Sequence, residues 1–194
     1  MRIGCVVMAA GDARRFGDNK LAREIGGKTL ARRALEAVPP EEFHMVAVVT
    51  QYPEVEALAA EMGFQPVRNP HPDWGISHTI RLGLEALGDC GAALFQVSDQ
   101  PFLRRETVKA LLSLFRGHPD RLAALAHGGV RGNPCVFPAK YFPELLDLQE
   151  DHGGSSVIRR HQEELLLLEV PAAELEDVDT PCVLQAMRAR RELV

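Results

Sequence analysis

The amino-terminal stretch of the chain constrains its fold most strongly. Ile3 to Ala10 is an uninterrupted apolar run, and Gly11 follows it directly. A short apolar run that stops at a glycine is typical of a strand buried on both faces. The sequence therefore begins with a core strand that runs straight into a glycine-containing loop.

Apolar runs and segments of helical spacing alternate along the rest of the chain. Further strands are predicted at Phe43 to Thr50, Ala92 to Val97, Leu122 to Ala126, Pro134 to Phe137 and Leu165 to Val170. Helices are predicted at Lys28 to Val38, Pro53 to Met62, Ser77 to Leu87, Arg104 to Phe115 and Pro181 to about Arg191, with Ser77 and Thr180 as N-caps. This alternation predicts one doubly wound, mostly parallel sheet of the α/β class with helices on both faces.

Composition excludes several classes of protein. The 194 residues are 46% hydrophobic and 25% charged, which excludes a disordered or collagen-like chain. Without a repeat or a Gly/Ser linker, residues 1–194 are expected to form a single domain. The net charge of −5 argues against a nucleic-acid partner, and no apolar run reaches the roughly 20 residues of a membrane span. Four cysteines without a C-x-x-C pair favour free thiols in the cytoplasm.

The loop after the first strand has the composition of a phosphate-binding loop. Gly11 and Gly17 permit tight turns, and Arg14, Arg15 and Lys20 supply positive charge. The spacing matches neither the dinucleotide pattern G-x-G-x-x-G nor the Walker pattern. On spacing alone, a polar surface turn with incidental arginines explains the loop equally well.

A resemblance to a known family favours the phosphate-binding loop over the surface turn. Residues 9–21 read A-A-G-D-A-R-R-F-G-D-N-K-L, which resembles the signature of the MobA-like nucleotidyltransferase family. Further matches to the family follow in order at G-G-K-T-L (26–30), G-I-S-H-T-I-R-L-G-L (75–84), V-S-D-Q-P-F (97–102), R-G-N-P-C-V-F (131–137) and D-V-D-T-P (177–181). The resemblance spans nearly the whole chain and implies a Rossmann-like nucleotidyltransferase fold.

Within the family, the chain looks most similar to the molybdenum cofactor cytidylyltransferases. Relatives that transfer a guanylyl group tend to read A-G-G where this chain reads Ala9, Ala10 and Gly11. The resemblance implies transfer of CMP from CTP to the phosphate of molybdopterin-bound molybdenum, with release of pyrophosphate. It implies Mg²⁺ as the cofactor, and a molybdenum hydroxylase as the client that receives the product.

The resemblance also assigns roles to charged residues. Asp99 matches the D-x-P motif and is the first expected Mg²⁺ ligand, although a lone Asp after a strand is more often part of a turn. Asp179 is the second expected ligand, and Asp177 is expected to be solvated. Arg15 is assigned to the β- and γ-phosphates of the nucleotide, and Lys20 to the α-phosphate.

Other motif residues are assigned to the two substrates. The resemblance places Ala9, Ala10, Gly11, Ser77 and Thr79 by the nucleotide, and a cap at Ser77 is compatible with that role. Arg131, Gly132, Asn133 and Pro134 resemble the loop on the acceptor side, although Gly-Asn-Pro also suits an ordinary turn.

One departure from the family pattern concerns the acceptor. The late motif G-D-x-G-x-R has serine in place of its arginine in E-D-H-G-G-S-S (150–156), and Arg159 or Arg160 is expected to compensate. Two alternatives therefore stay open. One is a nucleotidyltransferase that uses GTP or another acceptor, and the other is a non-catalytic module that delivers the cofactor to a partner enzyme.

Overall fold

A seven-stranded sheet forms the centre of the computed structural model, which describes residues 1–11, 16 and 19–192. Within these residues the strands are β1 (Ile3–Ala9), β2 (Glu24–Ile25), β3 (Lys28–Thr29), β4 (Met45–Thr50), β5 (Gln65–Arg68), β6 (Ala92–Val97), β7 (Leu122–His127), β8 (Val130–Pro138) and β9 (Leu165–Glu169). The helices are α1 (Leu30–Glu36), α2 (Pro53–Glu61), α3 (Ile76–Leu87), α4 (Arg105–Gly117), α5 (Phe142–Leu146), α6 (Gly154–Arg160) and α7 (Pro181–Glu192).

The sheet has the strand order β5-β4-β1-β6-β8-β7-β9. All neighbouring strands are parallel except β8, which runs antiparallel to both β6 and β7. The order reverses between β1 and β6, because the chain first proceeds from β1 to β4 and β5 and then returns to the other side of β1. A mostly parallel α/β sheet, as predicted, is confirmed.

Helices cover both faces of the sheet, also as predicted. On one face, α1, α2, α4 and α7 pack apolar side chains against the strands. On the other face, α3, α5 and α6 form a second buried cluster. In α4, the side chains of Val108, Leu111, Leu112 and Phe115 are fully buried, and each contributes roughly 1.5–3 kcal/mol through apolar burial. The apolar faces of the helices thus hold the helices against the sheet, which fixes the ends of the loops between strands and helices.

Several elements differ from the sequence prediction. The predicted helix start at Lys28 is instead the second strand of a hairpin, because Gly26 and Gly27 adopt positive φ angles that fit a two-residue turn between β2 and β3. Helix α1 begins at Leu30, where the Thr29 hydroxyl accepts a hydrogen bond from the backbone N–H of Arg32. Among the described residues, no helix combines the length and apolar character needed to cross a bilayer.

Candidate functional site

A cleft of about 520 Å³ lies at the carboxyl ends of β1 and β6. Ligands of open α/β sheets bind at this edge, where the strand order reverses. The cleft is lined by Ala10 and Gly11 after β1, Asp99 after β6, Thr79 of α3, Asp179 before α7, and by Lys20. The sequence predicts that residues from these five segments act together, and all five segments contribute to the lining of this one cleft.

Lys20 and Asp99 form the central contact of this cleft. The Lys20 Nζ lies 2.7 Å from Asp99 Oδ2 and donates a second hydrogen bond to the carbonyl of Val178 at 3.2 Å. The two side chains are only 17% and 20% exposed. Asn19 fixes the local turn, because its side-chain oxygen accepts a hydrogen bond from the backbone N–H of Leu21. The lysine is therefore held in place before any ligand arrives.

Negative charge accumulates beside Lys20. The backbone N–H of Val178 donates to the carbonyl of Asp99 at 2.9 Å, which joins the two loops that carry Asp99 and Asp179. Asp177 lies two residues before Asp179. Partial burial raises the pKa of its carboxyl to about 6, and repulsion by Asp99 and Asp179 adds to this shift. As a whole residue Asp177 is exposed, as expected of a solvated residue, but neighbouring groups crowd its carboxyl, which belongs electrostatically to the carboxylate cluster.

The end of β1 is fixed by side chains from the end of β4. The carbonyl of Ala9 accepts from the Thr50 hydroxyl at 2.9 Å, and that of Ala10 accepts from Gln51 Nε2 at 2.9 Å. Ala9 is buried within the sheet, whereas Ala10 and Gly11 line the cleft. Arg14, Arg15 and Gly17, which the sequence assigns to the phosphate-binding loop, lie outside the described residues.

The start of α3 corrects the prediction that Ser77 is an N-cap. The helix begins at Ile76, and the N-cap position is Gly75, with φ of +85°. A Cβ at Gly75 would lie 2.3 Å from the carbonyl oxygen of Glu150, so glycine allows that carbonyl to come close. The Glu150 carbonyl accepts from the backbone N–H of Ser77 at 3.1 Å and thus supplies the missing cap.

The two hydroxyl residues of this segment occupy different places. Thr79 lines the cleft, and its Oγ1 accepts a hydrogen bond from Asn69 Nδ2 at 3.2 Å. Ser77 instead lines a neighbouring groove together with Trp74 and His78. The structure therefore brings Thr79, but not Ser77, to the cleft that contains Lys20.

The predicted acceptor residues lie in β8 rather than in an ordinary turn. Arg131 and Asn133 line a cavity of about 80 Å³ that shares the side chains of Met8 and Ile76 with the main cleft. The Arg131 Nη2 donates to the hydroxyl of Ser155 at 2.9 Å. An arginine of β8 thus contacts Ser155, which stands where the family pattern has arginine.

Arg159 or Arg160 is expected to compensate for the missing arginine, and Arg160 has another partner in the structure. Its guanidinium binds Glu144 through two hydrogen bonds of 2.9 and 2.8 Å, so its charge is already paired. Arg159 is exposed on α6.

Gly132 of β8 packs closely against Leu175. A Cβ at residue 132 would lie 3.0 Å from a methyl group of Leu175, so a larger residue there would press on that side chain.

Sequence reasoning missed several residues that shape the cleft. Asp73 and Asp151 add carboxylates to its wall. The buried Glu174, together with Arg104 and Gln100, joins the loops that flank Asp99. The motif patterns held no signal for Glu174, since it lies in an acidic stretch of the kind that is usually solvated.

Comparison with known proteins identifies the sequence family. Residues 5–165 match the family described as MobA-like NTP transferase domain. The purine catabolism protein PucB of Bacillus subtilis (strain 168) is 27% identical over 190 residues, covering 91% of each chain.

Solved structures share the fold. Rv0371c of Mycobacterium tuberculosis H37Rv in complex with manganese has a TM-score of 0.80 at 19% identity, over 97% of this chain and 99% of that one. A nucleotidyl transferase from Methanothermobacter has a TM-score of 0.81 at 21% identity, over 97% of both chains. At these identities the likeness extends to the fold alone.

Proposed function

This chain belongs to the MobA-like NTP transferase domain family and is a nucleotidyl-transferring enzyme, and we propose that its substrates are CTP and the molybdopterin cofactor. The observation that carries the proposal is the Lys20–Asp99 pair, held at 2.7 Å in the cleft that Asp179 also lines. Nucleotidyl transfer depends on positioning and charge neutralisation, and a fixed ammonium beside carboxylates provides both.

The proposed reaction exchanges one phosphorus–oxygen bond for another. An oxygen of the acceptor phosphate attacks the α-phosphorus of CTP and forms the new bond. The bond from the α-phosphorus to the bridging oxygen breaks, and pyrophosphate leaves with the electron pair. Negative charge therefore builds up on the α-phosphoryl oxygens and on the leaving group, where donors and cations stabilise the transition state most.

Lys20 is proposed to neutralise this charge. An ammonium group has three N–H donors, and the bonds to Asp99 and to the Val178 carbonyl occupy two of them. The third is left for an α-phosphoryl oxygen. Because Asp99 already holds the ammonium, little reorganisation is needed when the nucleotide binds. Arg15 is proposed to bind the β- and γ-phosphates.

Asp99 and Asp179 are proposed to hold Mg²⁺. Carboxylate oxygens, completed by substrate phosphates and water, are the ligands that Mg²⁺ prefers in proteins. The fit is supported by the cleft wall, where Asp73 and Asp151 add further carboxylates to Asp99 and Asp179. The bound cation would neutralise the triphosphate and the developing charge.

The base and the acceptor are assigned to different residues around the cleft. Ala10 is buried at the cleft wall, and Thr79 also lines the cleft. The methyl group of Ala10 is proposed to narrow the base pocket against a purine, and the Thr79 hydroxyl is proposed to bind the base or sugar. Arg131 and Asn133 line the adjoining cavity, and Arg131 is proposed to bind the acceptor phosphate. The product would pass to a molybdenum hydroxylase in the cytoplasm.

The proposal is tested by offering the protein CTP, GTP, ATP or UTP with Mg²⁺ and the molybdopterin cofactor, and measuring pyrophosphate release. CTP is expected to give the fastest release. Asp99→Asn should reduce turnover by about 10²–10³-fold. Asp89→Asn removes an exposed carboxylate that pairs with Arg2 away from the cleft, and should leave turnover unchanged.

Three outcomes would contradict the proposal. A preference for GTP would favour the guanylyl-transferring alternative, and turnover only with a different phosphorylated acceptor would change the second substrate. Stoichiometric binding of CTP without pyrophosphate release would favour a cofactor-delivery module. Circular dichroism spectra of the variants confirm that any loss of turnover does not reflect unfolding.

A further inference from the structure

The strand that precedes Asp179 in the chain lies far from Asp99. Residues 171–180 follow β9, which is the third neighbour of β6 in the sheet. At about 4.8 Å per strand, this places the end of β9 about 14 Å from the end of β6, where Asp99 lies. The segment must therefore cross the edge of the sheet and be fixed in that position if Asp179 is to face Asp99.

An ion pair between the buried Glu174 and Arg104, whose side chain is 62% exposed, fixes the middle of this segment. Glu174 is only 3% exposed. Its Oε1 accepts from the Arg104 Nε at 2.8 Å and also from Nη2, and its Oε2 accepts from the Arg104 backbone N–H at 3.2 Å. Arg104 ends the loop that begins at Asp99, so this carboxylate ties the two aspartate-bearing segments together.

Further hydrogen bonds join the two aspartate-bearing segments closer to the cleft. Gln100 Nε2 donates to the carbonyl of Leu175 at 3.2 Å, and the Val178 N–H donates to the Asp99 carbonyl at 2.9 Å. The Leu175 side chain packs closely over Gly132 of β8. From Glu174 to Val178 the segment is therefore bonded repeatedly to the residues around Asp99.

We propose that Glu174 is a positioning residue, which holds residues 171–180 against the loop at 99–104 so that Asp99 and Asp179 bind one divalent cation. It acts through Arg104 and does not line the cleft. The proposal rests on the assignment of a cation to Asp99 and Asp179 above. It adds that the geometry of the cation site depends on a carboxylate outside it, much as residues behind metal ligands tune metal affinity.

The distinguishing experiment compares Glu174→Gln and Glu174→Ala with the unmodified protein. Free Mn²⁺ is followed by electron paramagnetic resonance during titration, with and without CTP, and we expect Mn²⁺ affinity to fall about 10-fold or more. Amide hydrogen exchange of peptides covering residues 171–180 should accelerate by a similar factor, because the Val178 N–H is no longer held against Asp99. Exchange in β1, β4 and β6 should not change.

A matched control removes an equivalent charge elsewhere. Glu42 accepts a hydrogen bond from Arg116 at 2.6 Å, and neither residue lines the cleft. Glu42→Gln should leave both the Mn²⁺ affinity and the exchange of residues 171–180 unchanged. At saturating Mn²⁺, turnover of Glu174→Gln should return to within about threefold of the unmodified protein, because the reacting groups themselves are intact.

Three results would overturn the proposal. One is unchanged Mn²⁺ affinity in both variants, and another is reduced turnover that excess Mn²⁺ does not restore. The third is exchange that accelerates equally throughout the sheet in Glu174→Gln, which would show a role in global stability alone. If the unmodified protein fails to transfer CMP, the proposed substrates are wrong, but the exchange and Mn²⁺ measurements still decide the role of Glu174.

Discussion

Gly75 connects the cleft with the start of α3, and its replacement by alanine tests that connection. Gly75 has φ of +85° and ψ of −177°, a region open essentially to glycine alone, so a side chain there costs about 1–3 kcal/mol in backbone strain. The new Cβ would also lie 2.3 Å from the Glu150 carbonyl oxygen. Backbone cannot rotate away as a side chain can, and overpacking of this kind costs about another 1–3 kcal/mol.

The expected loss is thus about 2–6 kcal/mol in the free energy of unfolding, out of a typical total of about 5–15 kcal/mol. At about 2–4 °C per kcal/mol for a chain of this length, the Tm should fall by roughly 4–24 °C. Thermal and urea unfolding can be followed through the fluorescence of the single tryptophan, Trp74, which directly precedes Gly75. CTP affinity should fall as well, because Gly75 lines the cleft.

Gly63 provides the matched control for this substitution. It has φ of +77°, but no atom lies within 4 Å of where its Cβ would be. Gly63→Ala therefore carries the strain of a positive φ without the overlap, and any additional loss of stability in Gly75→Ala includes the contact with Glu150. If Gly75→Ala proves no less stable than Gly63→Ala, the close approach of the Glu150 carbonyl does not have the energetic importance inferred here.

Three further expectations concern other parts of the chain. Lys20→Ala should lower kcat by about 10²–10³-fold with a smaller effect on the Kd for CTP, and equal losses in both would show a passive residue. Thr180→Ala should cost about 0.5–2 kcal/mol in urea unfolding, because the Thr180 hydroxyl accepts from the Val183 N–H at the start of α7, and an unchanged midpoint would refute this capping role. Ellman's reagent should modify Cys182 rapidly, because this thiol is exposed. It should react slowly with the thiols whose pKa is raised by burial, which are those of Cys5, Cys90 and Cys135. Fast reaction of more than one thiol per chain would contradict that burial.

Apolar periodicity predicted the buried elements of the fold but not its edges. Strand β6 was predicted with its observed bounds, because every residue from Ala92 to Phe95 is apolar and buried. Strand β5 was missed, since Gln65–Arg68 is short, polar and contains Pro66, which an edge strand tolerates. The antiparallel direction of β8 also escaped prediction, because Gly132-Asn133-Pro134 has the composition of a turn.

The residues that line the cleft were predicted from motifs that occur in order along the chain. The residues that hold the surrounding loops in place were not predicted. Asp99, Lys20 and Thr79 each lie in a motif, and the structure brings them to one cleft. Glu174 lies in an acidic stretch whose sequence gives no indication of burial, because only the fold places Arg104 beside it. Likewise, the cap of α3 comes from the carbonyl of Glu150, a backbone group that no side-chain pattern can indicate.

The contacts of Lys20 have a consequence for the order of folding. Its ammonium bonds to partners 79 and 158 residues further along the chain. Contacts of such long range form only after much chain entropy has been lost, so they tend to appear late. We therefore expect a nascent or refolding chain to acquire its sheet before its capacity to bind nucleotide, which would make ligand binding a marker of completed folding.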